Sequence, residues 1–296
     1  MQKQNPSKSE LLPALVVASF GMRYDVELND GTQISCVTRG KKSDLACGDR
    51  VEIRMTSDNE GVVENIQPRS SLLYRSNEYR KKLLAANVTQ IVIVIAAVPS
   101  FYEDLVNRCL IAAEAADIKA LILLNKSDLP ETAAALDRLK LYRSLGYSVE
   151  TLSARQDASQ LRPLLQGHTS VLVGQSGMGK STLVNALLPD ANSRTQEISS
   201  VLDSGKHTTT SARLYHLDSE SSLIDSPGLQ EFGLNHLSSD EMERSFVEFR
   251  PYLGKCRFNN CRHLKEPDCA ILNAVRDGKV SEIRLESYRK LFAELA

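Results

Sequence analysis

The ten residues VGQSGMGKST, numbered 173–182, carry the strongest structural signal in the chain. They contain the pattern G-x-x-x-x-G-K-[S/T], with the apolar run SVLV before it and the helical pattern STLVNALL after it. Glycines in such a loop let backbone N–H groups converge on phosphate oxygens at the amino end of a helix. Lys180 would then reach the β- and γ-phosphates, and the Ser181 hydroxyl would bind Mg²⁺. The flanking strand and helix favour a nucleotide site over the alternative, a simple glycine-rich turn. The predicted contacts are Gly174, Gln175, Ser176, Gly177, Met178, Gly179, Lys180, Ser181 and Thr182.

A second polar loop, LLNKSDLP at 123–130, follows the apolar run ALILL. This places it at the carboxyl end of a buried strand, where α/β sheets bind ligands. The Asp128 carboxylate can accept hydrogen bonds from the ring N–H and the exocyclic amine of guanine. Adenine lacks both donors, and leaving the carboxylate unpaired costs at least about 1–3 kcal/mol. Asn125 would brace the loop, and the Lys126 stem would lie along the base. Taken alone, N-K-x-D also occurs in surface turns; the predicted base-binding set is Asn125, Lys126, Ser127 and Asp128.

Three further segments complete the parts of a GTP site. Ser153 and Ala154 form a small-residue turn after the strand YSVETL, where a backbone N–H could meet the guanine carbonyl. Asp225 ends the strand SSLI and could hold Mg²⁺ through water, while the Gly228 N–H could meet the γ-phosphate. Between them, GKHTTT at 205–210 could supply a second hydroxyl for Mg²⁺. The base loop precedes the phosphate loop, which is the reverse of the order in an ordinary small GTPase.

The rest of the chain suggests a multidomain protein. Its 296 residues, 42% hydrophobic and 25% charged with a net charge of −1, are ordinary for a soluble protein and long enough for two or three domains. Residues 11–67 read as five short strands with a hairpin signal, NDG, at 29–31. A five-stranded oligonucleotide-binding (OB) barrel is the most economical fold, and an SH3-like module is the alternative. Apolar runs from about residue 88 indicate a mainly parallel α/β sheet. The predicted domains are 1–70, 71–238 and 239–296.

Three cysteines and one histidine lie within fourteen residues of the tail, as Cys256-x4-Cys261-x-His263-x5-Cys269. Tetrahedral zinc accepts this set, and four protein ligands leave no open position for a substrate. The site is therefore expected to be structural. The sequence start, MQKQNPSKSE, has no apolar core of signal-peptide length, and no window approaches a membrane span. We expect a cytoplasmic protein without membrane contact, in which disulfides among these cysteines are disfavoured.

Basic residues cluster in three places that suit RNA phosphates. The zinc loop carries Lys255, Arg257, Arg262 and Lys265, and the barrel carries TRGKK, with Arg39 to Lys42 between strands. The segment SSLLYRSNEYRKK adds Arg75, Arg80, Lys81 and Lys82. The plain alternative for each patch is a solvated surface.

Together these features resemble a known family. The order base loop, Ser-Ala turn, phosphate loop, threonine segment and D-x-P-G, with a barrel before and a Cys/His module after, is similar to the ribosome small-subunit-dependent GTPase A family of circularly permuted GTPases. The resemblance implies an OB-fold barrel, a permuted P-loop GTPase domain and a helical zinc-binding domain. It implies GTP hydrolysis stimulated by the small ribosomal subunit, with GTP or GDP, Mg²⁺ and one structural Zn²⁺. It also implies rRNA binding and release of an assembly factor late in subunit maturation. We expect a monomer.

The hydrolytic part of the site departs from the Ras pattern. Leu229 follows Gly228, where Ras has a glutamine that orients water. His207 is the best local substitute, and its alternative role is that of an exposed histidine outside the chemistry. The resemblance favours Thr209 as the Mg²⁺-binding threonine. Gly177 stands where some GTPases have an asparagine for an activating potassium ion.

Two other functions remain open from the residues alone. One is an RNA-binding protein with a vestigial nucleotide site, and the other is a non-ribosomal P-loop enzyme. For the GTPase, the direct connection from Gly228 into the tail through GLQEFGLNHL suggests that γ-phosphate contacts reposition the C-terminal domain.

Overall fold

The computed structural model describes residues 10–40, 44–77, 80–188, 212–225 and 233–295, and of residues 75–77 and 80–82 it describes the backbone alone. Within these ranges the chain forms a barrel, an α/β domain and a helical C-terminal module. Among the helices of this part of the chain, none is both long and apolar enough to cross a membrane.

The barrel closes on itself with five strands. They are β1 Leu11–Phe20, β2 Arg23–Leu28, β3 Gln33–Thr38, β4 Arg50–Met55 and β5 Glu60–Ile66. Their order is β1-β2-β3-β5-β4, and β4 pairs back to β1. Side chains alternate between the inside and the outside, so that Tyr24 and Val26 of β2 are fully buried. The prediction of an OB-like barrel is confirmed, and the NDG hairpin turns with Gly31 at φ 81°.

The α/β domain is built on a six-stranded part of the sheet in the order β10-β9-β8-β11-β13-β12. The first five strands are parallel, and β12 runs antiparallel to β13. The central strand β8 is buried along its whole length, as its continuous apolar pattern predicts. The strands are β8 Gln90–Ala96, β9 Lys119–Asn125, β10 Ser148–Thr151, β11 Thr169–Val173, β12 Ala212–His216 and β13 Ser222–Asp225. The helices are α1 Glu103–Ala115, α2 Thr132–Ser144, α3 Arg162–Leu165 and α4 Lys180–Leu187.

The barrel and the α/β domain share one eleven-stranded sheet. Strand β1 of the barrel pairs with β12 at Ala18↔Arg213 and Ser19↔Ala212. A hairpin of β6 Leu72–Asn77 and β7 Arg80–Ala86 adds a second junction, where the Ala86 N–H donates to the Cys47 carbonyl at 2.9 Å. The two domains are therefore joined by backbone hydrogen bonds at two places.

A buried ion pair fixes the linker after the barrel. Asp49 is fully buried and accepts two hydrogen bonds from Arg69, at 2.6 and 2.7 Å. The Ala46 N–H donates to the same carboxylate at 2.7 Å. Because a buried charge is stable only when it is paired, this contact holds the linker against the barrel.

The C-terminal module consists of α5 Ser239–Ser245, a short 3₁₀ turn Val247–Tyr252, α6 Ala270–Arg276 and α7 Glu282–Leu295. Ser238 and Glu241 form a capping box at the start of α5. Phe246 and Phe249 stack, and Tyr288 meets both rings edge-to-face, with ring centroids 4.9–5.5 Å apart. These rings belong to the same apolar core as the α/β domain, so the module packs on that domain rather than standing alone.

Candidate nucleotide site and metal centre

The phosphate loop connects β11 to α4 and lies against two neighbouring strands. Gly174 and Gly179 have φ values of 155° and 91°. A Cβ atom at Gly174 would lie 2.1 Å from the Val94 carbonyl oxygen, and one at Gly179 would lie 2.4 Å from Asn125 Nδ2. Both glycines are thus required by the close approach of the loop to β8 and to the base loop.

Two opposite charges lie at the base of this loop. The Lys180 ammonium donates to the carbonyls of Gly174 and Gln175 at 2.5 and 2.9 Å. Burial lowers the pKa of Lys180, and the nearby Asp225 opposes that shift. Burial raises the pKa of Asp225, and Lys180 opposes it in turn. An ammonium and a carboxylate therefore lie together at the carboxyl ends of β11 and β13, and these are groups that suit phosphate and a hydrated divalent cation.

Asn125 joins three loops into one site. Its side chain is almost fully buried, with 2% exposure. Its Nδ2 donates to the Met178 carbonyl of the phosphate loop at 2.9 Å, and its Oδ1 accepts from the Ala154 N–H at 3.0 Å. The loops that the sequence assigned to phosphate, base and guanine carbonyl are therefore adjacent, despite their reversed order along the chain.

The base loop presents Asp128 outward. The pKa of Asp128 is lowered, chiefly by the neighbouring Ser153 hydroxyl and by backbone N–H, which favours the ionised form that guanine requires. Lys126 adopts a left-handed conformation with φ 60°, and its Nζ donates to the Val98 carbonyl at 2.8 Å. The Ser127 N–H donates to Leu152, which ties the loop to β10.

Several predicted residues lie outside the described ranges. They are His207, Thr209 and Gly228 of the site, together with Lys41 and Lys42 of the barrel. The side chains of Arg75, Arg80, Lys81 and Lys82 are likewise outside the description. Their assigned roles stay predictions.

The segment after β8 contacts both nucleotide loops, and the sequence analysis did not predict these contacts. Its Val98 carbonyl accepts from Lys126 of the base loop. The Tyr102 N–H donates to Gln175 Oε1 of the phosphate loop at 2.9 Å. Arg138 of α2 donates to the Phe101 carbonyl at 3.1 Å and lies 4.0 Å over the Phe101 ring. The available signal was positional, because this segment follows a buried parallel strand at its carboxyl end, as the predicted loops do.

The four predicted metal ligands form a compact cluster. His263 Nδ1 lies 3.5 Å from the Sγ atoms of Cys256 and Cys261 and 3.2 Å from that of Cys269. The Sγ atoms of Cys256 and Cys269 are 3.8 Å apart. Tetrahedral zinc, with bonds of about 2.3 Å to sulfur and about 2.0 Å to nitrogen, separates its ligand atoms by about 3.5–3.8 Å. The residues therefore fit Zn²⁺, with Nδ1 as the histidine ligand atom and no ligand position left open.

Two carboxylates support this cluster from outside. Glu243 lies 3.7 Å from His263 Nε2 and accepts a hydrogen bond from the Tyr288 hydroxyl at 3.0 Å. A carboxylate behind a metal-binding histidine orients the ring and raises its basicity. Glu266 accepts three backbone N–H groups at 2.8–2.9 Å, and although burial opposes the shift, these bonds lower its pKa to about 2. The donors are Arg262, Leu264 and Lys265.

Comparisons with known proteins cover nearly the full chain. A family model described as RsgA GTPase matches residues 66–235. A protein named small ribosomal subunit biogenesis GTPase RsgA from Nitrosospira multiformis is 56% identical over 281 residues, covering 95% of this chain and 90% of its own. The protein of that name from Neisseria meningitidis serogroup B is 53% identical over 291 residues, covering 98% and 95%.

Two solved structures have the same architecture. YjeQ from Thermotoga maritima superposes with a TM-score of 0.73 at 29% identity, over 97% of this chain and 99% of that one. YloQ, described as a circularly permuted GTPase, superposes with a TM-score of 0.70 at 28% identity, over 99% and 98%.

Proposed function

The chain belongs to the RsgA GTPase family, and from this we propose that it hydrolyses GTP in the biogenesis of the small ribosomal subunit. The observation that carries the proposal is the bridge at Asn125, which links the phosphate loop, the base loop and the Ser-Ala turn. This arrangement supports one site that would bind both guanine and phosphate. A vestigial site is disfavoured because Lys180, Ser181 and Asp225 are all intact.

In this site the chain binds and orients the nucleotide. Asp128 would accept the two guanine donors, and the turn at Ser153 and Ala154 would lie beside the guanine carbonyl, with the Ala154 N–H held by Asn125 Oδ1. Lys180 would exchange its two carbonyl partners for phosphate oxygens, because an anionic acceptor makes the stronger hydrogen bond. Ser181 and Asp225, with Thr209 by family resemblance, are the residues that would hold Mg²⁺, which neutralises charge on the phosphates.

His207 is our candidate for orienting the attacking water. Leu229, next to the D-x-P-G segment, has no group that can align water, and intrinsic turnover should therefore be slow. The test is the turnover of His207→Ala stimulated by small subunits. A large loss with unchanged GTP affinity supports the role, and unchanged turnover rejects it.

The flanking domains supply the proposed contacts with rRNA. A structural zinc would fix the loop that carries Lys255 and Lys265, and the barrel would offer its loops to single-stranded or irregular RNA. Arg257 is 65% exposed and bonded to Asp268, so it could exchange this partner for a phosphate at little cost. We further propose a monomeric, cytoplasmic protein that couples hydrolysis to release of an assembly factor.

The decisive experiment compares GTP hydrolysis with and without purified small subunits. We expect strong stimulation by small subunits and none by large subunits. The variant Asp128→Asn should lose most of its GTP affinity, because an amide cannot accept both guanine donors. An enzyme that reads another base would lose little, and the absence of stimulation would remove the proposed partner while leaving the GTPase.

Nucleotide state is proposed to reach the C-terminal module through residues 228–237. Within the described part of this segment, Leu234 is buried in the core, and the His236 ring contacts that of Tyr74 with centroids 4.7 Å apart. Hydrogen exchange in residues 239–296 should therefore differ between GDP and a non-hydrolysable GTP analogue. Identical protection in the two states would contradict this route.

A further inference from the structure

Helix α1 is held at its amino end by the phosphate loop. Its N-cap residue, Tyr102, makes no side-chain cap. The Tyr102 N–H instead donates to Gln175 Oε1 at 2.9 Å. Since the first N–H groups of a helix lack internal partners, this bond satisfies one of them from the nucleotide loop. The position of Gln175 is therefore tied to the position of α1.

Five residues further along, α1 is held by the C-terminal module. Asn107 is 1% exposed, and its Oδ1 accepts from Arg284 Nη1 at 2.6 Å and from the Tyr142 hydroxyl at 3.1 Å. Its Nδ2 donates to Ser287 Oγ at 2.7 Å. Asn107 thus joins α1 to α7 of the module and to α2, the helix that follows the base loop.

Arg284 is the residue that fixes this junction. Its side chain is fully buried, and it donates to both carboxylate oxygens of Glu248, at 2.5 and 3.3 Å. Its guanidinium also lies 4.5 Å from the centre of the Phe246 ring. A buried guanidinium with paired partners has one geometry, because moving it would leave charges unpaired in the core. The C-terminal module can therefore pack against α1 in only one relative position.

Two ion pairs extend the same contact along α1. Arg108 binds Glu294, and Lys290 binds Asp104 at 2.9 Å. The Lys290–Asp104 pair is exposed and contributes little, whereas the Arg108 guanidinium is half-buried and adds to the buried Asn107 contact. Tyr102 and Asn107 are five residues apart, which is about 7.5 Å along a helix. Over so short a distance α1 moves as a rigid body, and a displacement at Asn107 reaches Gln175.

We propose that Arg284 is a positioning residue for the nucleotide site, acting through Asn107 and α1 on Gln175 of the phosphate loop. The C-terminal module then sets the conformation of the loop that binds phosphate. By linkage, nucleotide at the loop strengthens the attachment of α7 by the same factor. The inference rests on the proposed guanine nucleotide binding, and it adds a route separate from residues 228–237.

A double-mutant cycle tests the route. The affinity for a fluorescent GDP analogue is measured for the unmodified protein, Arg284→Lys, Gln175→Ala and the double variant, all loaded with zinc. Arg284→Lys keeps the charge but loses the fork that reaches Asn107 and Glu248 together. We expect Arg284→Lys to weaken binding of the GDP analogue about threefold or more in the unmodified protein, and far less in the Gln175→Ala background. Equal losses in both backgrounds would overturn the proposal.

Two further variants keep the test decisive. Tyr142→Phe removes only the hydroxyl that donates to Asn107, and we expect a smaller loss of affinity in the same direction. Arg276→Lys changes an exposed arginine of α6 that bonds Asn273, and it should leave GDP affinity unchanged. If Arg284→Lys fails to fold, the same cycle is run with Tyr142→Phe. Equal losses of GDP affinity with and without Gln175→Ala would then overturn the proposal. Failure of the unmodified protein to bind GDP would instead refute the proposed function.

Discussion

Replacing Asn125 by alanine removes a side chain that bonds both the phosphate loop and the Ser-Ala turn. The change leaves the Met178 carbonyl and the Ala154 N–H without their partners, and both residues are at most 7% exposed. Each orphaned buried group costs about 1–3 kcal/mol, or about 2–6 kcal/mol for the two. Part of this cost falls on the folded protein without ligand. We therefore expect GDP binding to weaken by about 2–4 kcal/mol, which is about 30- to 700-fold.

Calorimetric titration with GDP measures this loss, and chemical denaturation measures the accompanying fall in the free energy of unfolding. The matched control is Asn65→Ala, which removes an exposed asparagine of the barrel that bonds Glu52 at 2.8 Å. The control should bind GDP as the unmodified protein does. A folded Asn125→Ala protein that binds GDP within about threefold of the unmodified one would refute the bridging role.

Three other predictions concern the loop, the linker and the metal centre. Gly174→Ala should abolish nucleotide binding. Gly177→Ala should cost only the backbone strain of about 1–2 kcal/mol, because a Cβ there meets no atom closer than 3.4 Å. Equal GDP affinities of the two variants would contradict this prediction. Arg69→Leu should lower the free energy of unfolding by about 3–5 kcal/mol, since Asp49 would stay buried without its partner, and a denaturation curve with an unshifted midpoint would disprove it. Cys261→Ser should reduce bound zinc, measured by elemental analysis, and expose the module to proteolysis; full zinc content would reject its ligand role.

The barrel and the parallel sheet were predictable because their patterns are local. Alternation along β2 and β3 and the continuous apolar run of β8 each require only neighbouring residues. The nucleotide loops were predictable for a related reason, since their glycines and polar residues follow strands directly. The compactness of the metal cluster also follows from ligands spaced within fourteen residues.

The contacts that fix the domains against one another were not predictable. Arg284 and Asn107 are 177 residues apart, and neither lies in a pattern that indicates a buried bond. An arginine in a helix is usually solvated, so its burial depends on Glu248 and on the shape of the assembled core. The C-terminal module also shares its apolar core with the α/β domain, because Phe246 and Tyr288 pack into the core of that domain.

The pairing of β1 with β12 has a consequence for shortened forms of the protein. Without the barrel, Ala212 and Arg213 would lose their backbone partners in β1, and the outer side of β12 would become an open sheet edge. Open edges recruit strands from other molecules, and such a fragment would tend to self-associate. A loss of activity in a form that lacks the barrel could then result from self-association as well as from missing RNA contacts. By pairing with β12, the barrel therefore protects the α/β domain against self-association.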